Sequence, residues 1–91
     1  MINCLMENKK RELINSFNQI IRWPKKPSDK EIAIQFLSTK FNLDKRYTEE
    51  EVNNIIDNHH LFNDIALLRR ELISRKFLDR KSDGSVYWKV N

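Results

Sequence analysis

Apolar residues recur every three or four positions in four stretches of the chain, which is the spacing of amphipathic helices. The first stretch covers residues 7–21, and the others follow positions 28, 48 and 64. After residue 77 the pattern changes, and apolar and polar residues alternate as they do in β-strands. The chain is therefore predicted to be mainly α-helical, with a small β-structure near its C-terminal end.

The first stretch predicts an N-terminal helix over 7–21. Its apolar positions are Leu13, Ile14, Phe17, Ile20 and Ile21. Two prolines end it within 22–27, a segment that we interpret as an extended Trp-Pro loop because proline disfavours helical backbone at and before its own position. Ser28 and Glu31 have the spacing of a capping box, which predicts that the next helix begins at Ser28.

Two further helix starts follow. Thr48 and Glu51 form a second predicted capping box, with His59 on the apolar face of the helix behind it. We interpret His59 as a core histidine near the end of that helix rather than a metal ligand. Asn63 or Asp64 is the expected N-cap of a helix that runs over 64–76.

The only glycine of the chain, Gly84, follows Asp83 between two strand-like runs, which predicts a β-hairpin. In the second strand Val86, Trp88 and Val90 share one face, while Tyr87 and Lys89 lie on the other. The pair Arg46-Tyr47 is the expected third strand. This order predicts a winged helix-turn-helix over 28–90, preceded by an extra N-terminal helix, in a single domain over 1–91.

The charge of the chain favours an anionic partner. Lys and Arg number 17 and Asp and Glu 13, for a net charge of +4. The single cysteine, the lack of a signal peptide and the absence of a long apolar run favour a cytoplasmic protein with no membrane contact. One glycine allows no phosphate-binding glycine loop, and no catalytic set stands out. We expect no enzyme activity, cofactor, metal or small-molecule site.

The predicted helix over 64–76 is the element that would enter a DNA groove. Its outward side is expected to carry Arg70, Ser74 and Arg75 beside an exposed Leu67. Asp64 and Glu71 are expected on the same side, where they would repel phosphates. Arg69 is expected to be half-buried and paired with a carboxylate, Glu51 or Asp64.

Two pairs of cations outside this helix are further candidates for phosphate contacts. Arg80 and Lys81 lie in the predicted wing, where charged residues also serve to prevent edge-to-edge pairing of strands. Lys25 and Lys26 lie in the Trp-Pro loop, where functionless lysines are common. We therefore weigh a phosphate-binding role against a purely solvated one at both places.

The chain also resembles a bacterial domain of unknown function, family twenty-eighty-seven. The resemblance rests on Arg46-Tyr47-Thr48-Glu49, Glu51-Val52-Asn53, Asp64, Leu68-Arg69-Arg70-Glu71-Leu72-Ile73, Leu78-Asp79-Arg80, Gly84 and Tyr87-Trp88, together with Trp23-Pro24-Lys25-Lys26. Within these motifs the expected structural positions are Tyr47, Thr48, Glu51, Asp64, Arg69, Gly84 and Trp88. The chain departs from the family at Lys76, where glycine is expected.

The resemblance implies a transcription-regulator-like protein that binds double-stranded DNA, and this is our leading hypothesis. The alternative is a protein-interaction module on the same scaffold, which the expected exposed Leu67 favours. A third possibility is a homodimer that packs through the apolar stripe of the helix over 7–21.

Overall fold

The computed structural model describes residues 12–90, which contain three helices and a three-stranded antiparallel sheet. The helices are α1 (Pro27–Ser38), α2 (Glu49–Asp57) and α3 (Ile65–Ser74), and the strands are β1 (Arg46–Tyr47), β2 (Leu78–Arg80) and β3 (Tyr87–Lys89). This confirms the predicted fold class, mainly helical with a small hairpin, and agrees with a winged-helix-like arrangement. Over the same residues, no helix combines the length and the apolar character needed to span a membrane.

The predicted helix over 7–21 is wrong at its C-terminal end, and residues 7–11 lie outside the described part. Helical backbone ends at Leu13, and the chain then reverses so that Ile14 and Ile20 pair in antiparallel fashion. Asn15 causes this reversal, because its side-chain oxygen accepts hydrogen bonds from the amides of Phe17 and Gln19, at 2.9 and 3.0 Å. The continuous helical stripe up to residue 21, on which the expected dimer was based, is therefore not formed.

The predicted capping box at Ser28 is also wrong. Helix α1 begins one residue earlier, at Pro27, with Lys26 as its N-cap and no side-chain capping bond. Proline is suited to this first helical position because its fixed φ is already helical and its missing N–H would have had no partner there. Pro27, the last residue of the predicted Trp-Pro loop, therefore belongs to α1.

Helix α2 begins as predicted. Thr48 Oγ1 accepts from the Glu51 amide at 3.1 Å, and the Glu51 carboxylate accepts from the Thr48 amide at 2.9 Å, so the capping box is complete. The helix ends at Asp57. Beyond this end, the His59 side chain is half-buried and the His60 side chain points into the core. The core histidine is thus His60, and the prediction for His59 is wrong because it extended the helical period past the real end of α2.

The two ends of α3 are fixed by separate motifs. Of the two predicted N-cap candidates, Asn63 and Asp64, the structure selects Asp64, which accepts from the Leu67 amide at 3.2 Å. At the other end the Phe77 amide donates to the Leu72 carbonyl and the Lys76 amide to the Ile73 carbonyl, which together form a Schellman motif. This motif places Lys76 at a φ of 70°, which explains why glycine is the residue expected there.

The sheet has the strand order β1-β3-β2, so β3 is its central strand. Arg46 lies opposite Trp88 on one side, and Asp79 lies opposite Trp88 on the other. The predicted pairing of Arg46-Tyr47 with the hairpin is therefore confirmed. Tyr87 is fully buried while its neighbour Trp88 stays half-exposed, which agrees with the predicted alternation along β3.

The hydrophobic core lies between the three helices and the inner face of the sheet. Helix α3 packs against α1, α2 and β2, so it is the element that joins the helical layer to the hairpin. The core residues are Ile20, Ala33, Ile34, Leu37, Phe41, Tyr47, Val52, Ile56, Leu68, Leu72, Leu78 and Tyr87.

Candidate functional site

A shallow cleft of about 570 Å³ separates the outward side of α3 from the wing. It is lined by Arg69, Arg70, Glu71, Ile73, Ser74, Arg80 and Tyr87. Three of these residues are arginines and one is a carboxylate. We call this the helix–wing cleft, and it brings together three of the predicted contact residues: Arg70, Ser74 and Arg80.

The outward side of α3 carries a ridge of three exposed residues at four-residue spacing, namely Ala66, Arg70 and Ser74. Residues four apart lie on one face of a helix, so these three form a continuous line along it. Within residues 12–90, neither the Arg70 guanidinium nor the Ser74 hydroxyl is bound by another side chain. Leu67, beside the ridge, is half-buried, so its predicted exposure is wrong.

Arg69 is half-buried, as predicted, but its partner differs from the predicted carboxylates. Its Nη1 donates to Asn53 Oδ1 on α2 at 2.6 Å. Glu51 and Asp64 are both engaged in capping, at the starts of α2 and α3, and so do not pair with Arg69. Arg69 therefore holds α3 against α2, and Arg70 is left as the free arginine on this helix.

Arg75, a predicted contact residue, is tied into two ion pairs. Its Nε donates to Glu71 and its Nη1 to Glu31 of α1, both at 2.7 Å. The hydrogen bond to Glu71, followed by the one to Glu31, raises the pKa of Arg75 above its ordinary value despite partial burial. The Glu71 charge that was expected to repel phosphates is thus neutralised, and Arg75 is not available for a partner.

Arg80 and Lys81 are neighbours in sequence, but the structure places them on opposite faces of the wing. Arg80 lines the helix–wing cleft, and its Nη1 lies 3.8 Å from the point that a Cβ on Gly84 would occupy. Lys81 lines a second cleft, of about 430 Å³, on the outer face of the sheet with Arg46 and Trp88. The structure therefore assigns the two cations to different clefts.

Lys25 and Lys26 lie at a third surface depression, separate from the two clefts. Both are exposed and line a depression of about 390 Å³ that also contains the acids Glu12 and Asp29. Neither lysine lines the helix–wing cleft. The structure therefore separates the Trp-Pro loop from the other predicted contact residues.

Glu49, at the first position of α2, belongs to the surroundings of the cleft, and the sequence did not reveal this. The Tyr87 hydroxyl donates to its carboxylate at 2.9 Å, a contact between residues 38 positions apart. The same carboxylate lies 3.7 Å from the point that a Cβ on Gly84 would occupy. Only the fold brings α2 to the wing, so no local pattern could have indicated this negative charge.

The comparisons with known proteins identify a family but no relative of described activity. Residues 19–89 match a family model described as "Uncharacterized protein conserved in bacteria (DUF2087)". No curated protein and no solved structure matches the chain. The matched range begins one residue before Ile20, the first residue of the core cluster.

Proposed function

We propose that this chain, which belongs to the uncharacterised bacterial family DUF2087, binds double-stranded DNA as a cytoplasmic, transcription-regulator-like module and catalyses no reaction. The observation that carries the proposal is the convergence on one cleft of Arg70 of α3 and Arg80 of the wing, neither of which is ion-paired within residues 12–90. Of the two carboxylates at this cleft, Glu71 is bound by Arg75 and Glu49 accepts from the Tyr87 hydroxyl, so three arginines outnumber the acids there. The cleft therefore offers net positive charge to an anionic partner.

We infer the orientation of a DNA duplex from the positions of the ridge and the wing. The ridge of α3 lies along the major groove, which is wide enough to admit an α-helix. The wing then lies over the adjacent backbone, where Arg80 contacts a phosphate. Lys81 lies on the far side of the wing and adds only a screened, long-range attraction.

The test is the salt dependence of binding to a labelled duplex of mixed sequence, measured by fluorescence anisotropy. Each phosphate contact contributes a slope of about 0.9 to the plot of log affinity against log salt concentration. Arg80→Ala is expected to lower the slope by about one such unit. Lys81→Ala removes the same charge from the next residue and serves as the matched control, with an unchanged slope.

Two outcomes would count against DNA binding at this cleft. If the wild-type chain shows no salt-dependent binding, the proposed function is wrong. If Lys81→Ala lowers the slope as much as Arg80→Ala, the chain attracts DNA by its overall charge and the helix–wing cleft has no special role.

A second candidate function, self-association, is favoured by apolar residues on the N-terminal segment. Ile21 and Leu61 are 39% and 54% exposed and lie side by side, because their neighbours Ile20 and His60 form a parallel bridge. Phe17, on the same segment, is 79% exposed. A second copy of this chain would remove these side chains from water.

Light scattering separates the two candidates. At tens of micromolar, a dimer would give twice the 11.0 kDa mass of the chain, and Leu61→Lys is expected to return it to the monomer. Leu43→Lys is the control, because Leu43 is 60% exposed but lies on the outer face of the sheet. A monomeric mass for the wild-type chain at these concentrations would contradict self-association.

A further inference from the structure

The ridge on α3 has a composition suited to the recognition of a particular base. Its middle residue, Arg70, is long and carries several hydrogen-bond donors, and the residues one turn away on either side, Ala66 and Ser74, are small. Small flanking residues let the helix backbone approach the floor of a groove closely. Arg70 is therefore the one side chain of the ridge that reaches beyond its neighbours.

We propose that Arg70 specifies a guanine in the major groove, an inference that rests on the proposed DNA binding. The planar guanidinium donates two parallel hydrogen bonds, and guanine presents two acceptors, O6 and N7, at matching positions on its major-groove edge. No other base presents two acceptors there. The methyl group of Ala66 lies one turn along the ridge, where it contacts the methyl group of a thymine.

The other arginines near the cleft do not compete for this role. Arg69 is held by Asn53 of α2, and Arg75 is held by Glu71 and Glu31. Arg80 lies across the cleft on the wing, the position from which a backbone phosphate is contacted. Because only Arg70 is assigned a base contact, we expect the DNA site to contain one specified guanine rather than a run of guanines.

The length of the ridge limits the number of base pairs it can cover. A helix rises about 1.5 Å per residue, so the line from Ala66 to Ser74 spans about 12 Å. Base pairs are stacked at about 3.4 Å, so the ridge covers about four of them. The thymine contacted by Ala66 is therefore expected about two base pairs from the guanine.

Selection from a pool of duplexes with a randomised centre tests the assignment. The wild-type chain is expected to enrich one guanine, with a discrimination of about 5- to 150-fold over the other bases. Arg70→Gln is expected to change that preference to adenine, because glutamine forms a bidentate pair with adenine N6 and N7. Arg80→Gln is the matched control, which is expected to weaken binding to all sequences and keep the guanine.

A chemical substitution in the DNA gives an independent readout. Replacement of the selected guanine by 7-deazaguanine removes the N7 acceptor, and is expected to weaken wild-type binding about tenfold. The same replacement should leave the affinity of Arg70→Ala unchanged, because that variant makes no contact with N7. Since Arg70 is exposed and unpaired, both of its variants are expected to fold.

The outcomes separate this inference from the proposed function. Salt-dependent binding with no base preference, or a guanine preference that persists in Arg70→Gln, would overturn the role of Arg70 and leave DNA binding intact. Absence of any DNA binding would overturn both.

Discussion

The two turns on either side of α3 hold their neighbours in different ways. The interhelical turn, residues 58–64, contains the buried His60, whose Nδ1 donates to the Ile56 carbonyl and whose Nε2 accepts from the Asp64 amide, at 2.7 and 2.9 Å. The wing turn, residues 81–86, contains no fully buried residue, and the Asp83 carboxylate accepts from the amide and the hydroxyl of Ser85 within the same turn. One turn is held by the core and the other mainly by itself.

The wing side of the helix–wing cleft is formed by strand residues, Arg80 and the buried Tyr87, whereas the wing turn does not line the cleft. Helix α3 is fixed at its start by the interhelical turn and along its length by Arg69 and Asn53. The wing is joined to the rest of the molecule through its strands and through the contact between Tyr87 and Glu49. A duplex in the cleft would therefore meet two walls that are both held by the core, with the more loosely held wing turn beside them.

The largest expected effect is at the interhelical turn. His60→Ala removes the ring that bonds to both Ile56 and Asp64 and leaves a buried cavity, which should lower the free energy of unfolding by about 3 kcal/mol. Urea denaturation followed by circular dichroism measures this. His59→Ala removes the same ring from a half-buried position and should cost about 1 kcal/mol. Equal losses for the two variants would show that the interhelical turn is not fixed through His60.

The wing turn should respond less, and locally. Gly84 has a φ of 77°, so Gly84→Ala forces a side chain into left-handed backbone at a cost of about 1 to 2 kcal/mol. The added Cβ meets no atom closer than 3.7 Å, so the strain arises from the backbone alone. Amide chemical-shift changes are expected to be confined to the wing turn and its strands. Changes that extend into α3 would show that the wing turn is not independent of that helix.

The residue that joins α3 to the wing offers a gain in stability. Lys76 has a φ of 70° in the Schellman motif, and Lys76→Gly should raise the free energy of unfolding by about 0.5 to 1 kcal/mol because glycine adopts this backbone without strain. Lys76→Ala, which retains Cβ, is the control and should give no such gain. A loss of stability with glycine would mean that the flexibility it adds to the unfolded chain outweighs the strain it removes.

The smallest effect concerns pH and the wing turn alone. Hydrogen bonds from the Ser85 amide, and next from its hydroxyl, hold the pKa of Asp83 below its ordinary value of 3.8. A lowered pKa in the folded state means that the contribution of Asp83 is fully present above 3.8 and is lost as the pH falls through the folded value.

The Ser85 amide resonance should report this transition in an NMR titration from about pH 6 to about pH 2. Asp83→Asn cannot titrate at this position and should remove the transition. A midpoint above 3.8 would contradict the sign of the shift.

Local patterns in the sequence predicted those elements whose stabilising contacts are themselves local. The capping box of Thr48 and Glu51 and the N-cap Asp64 are complete within four residues; the first was located correctly and the second was one of the two predicted candidates. Asp83-Gly84 likewise placed the hairpin. At Ser28 the sequence has the spacing of a capping box, but the helix begins at Pro27 and has no side-chain cap.

The site depends on contacts that no local pattern contains. The pairing of Arg75 with Glu31 joins residues 44 positions apart, and it decides that Arg75 is unavailable to a partner. The separation of Arg80 from Lys81 depends on which face of the hairpin packs against the core. The sequence therefore indicated the candidate cations, and the tertiary structure showed that Arg70 and Arg80 line one cleft.

The backbone bridge between Ile20 and the interhelical turn has a consequence for the order of folding. The Ile20 amide donates to the His59 carbonyl and the Leu61 amide donates to the Ile20 carbonyl, so two bonds join segments that are far apart in sequence. Closing so long a loop costs chain entropy before the contacts that stabilise it can form, and such contacts therefore form late in folding. The N-terminal segment should dock after the three helices and the hairpin have assembled, and its amides should exchange with solvent before those of Leu68 and Leu72.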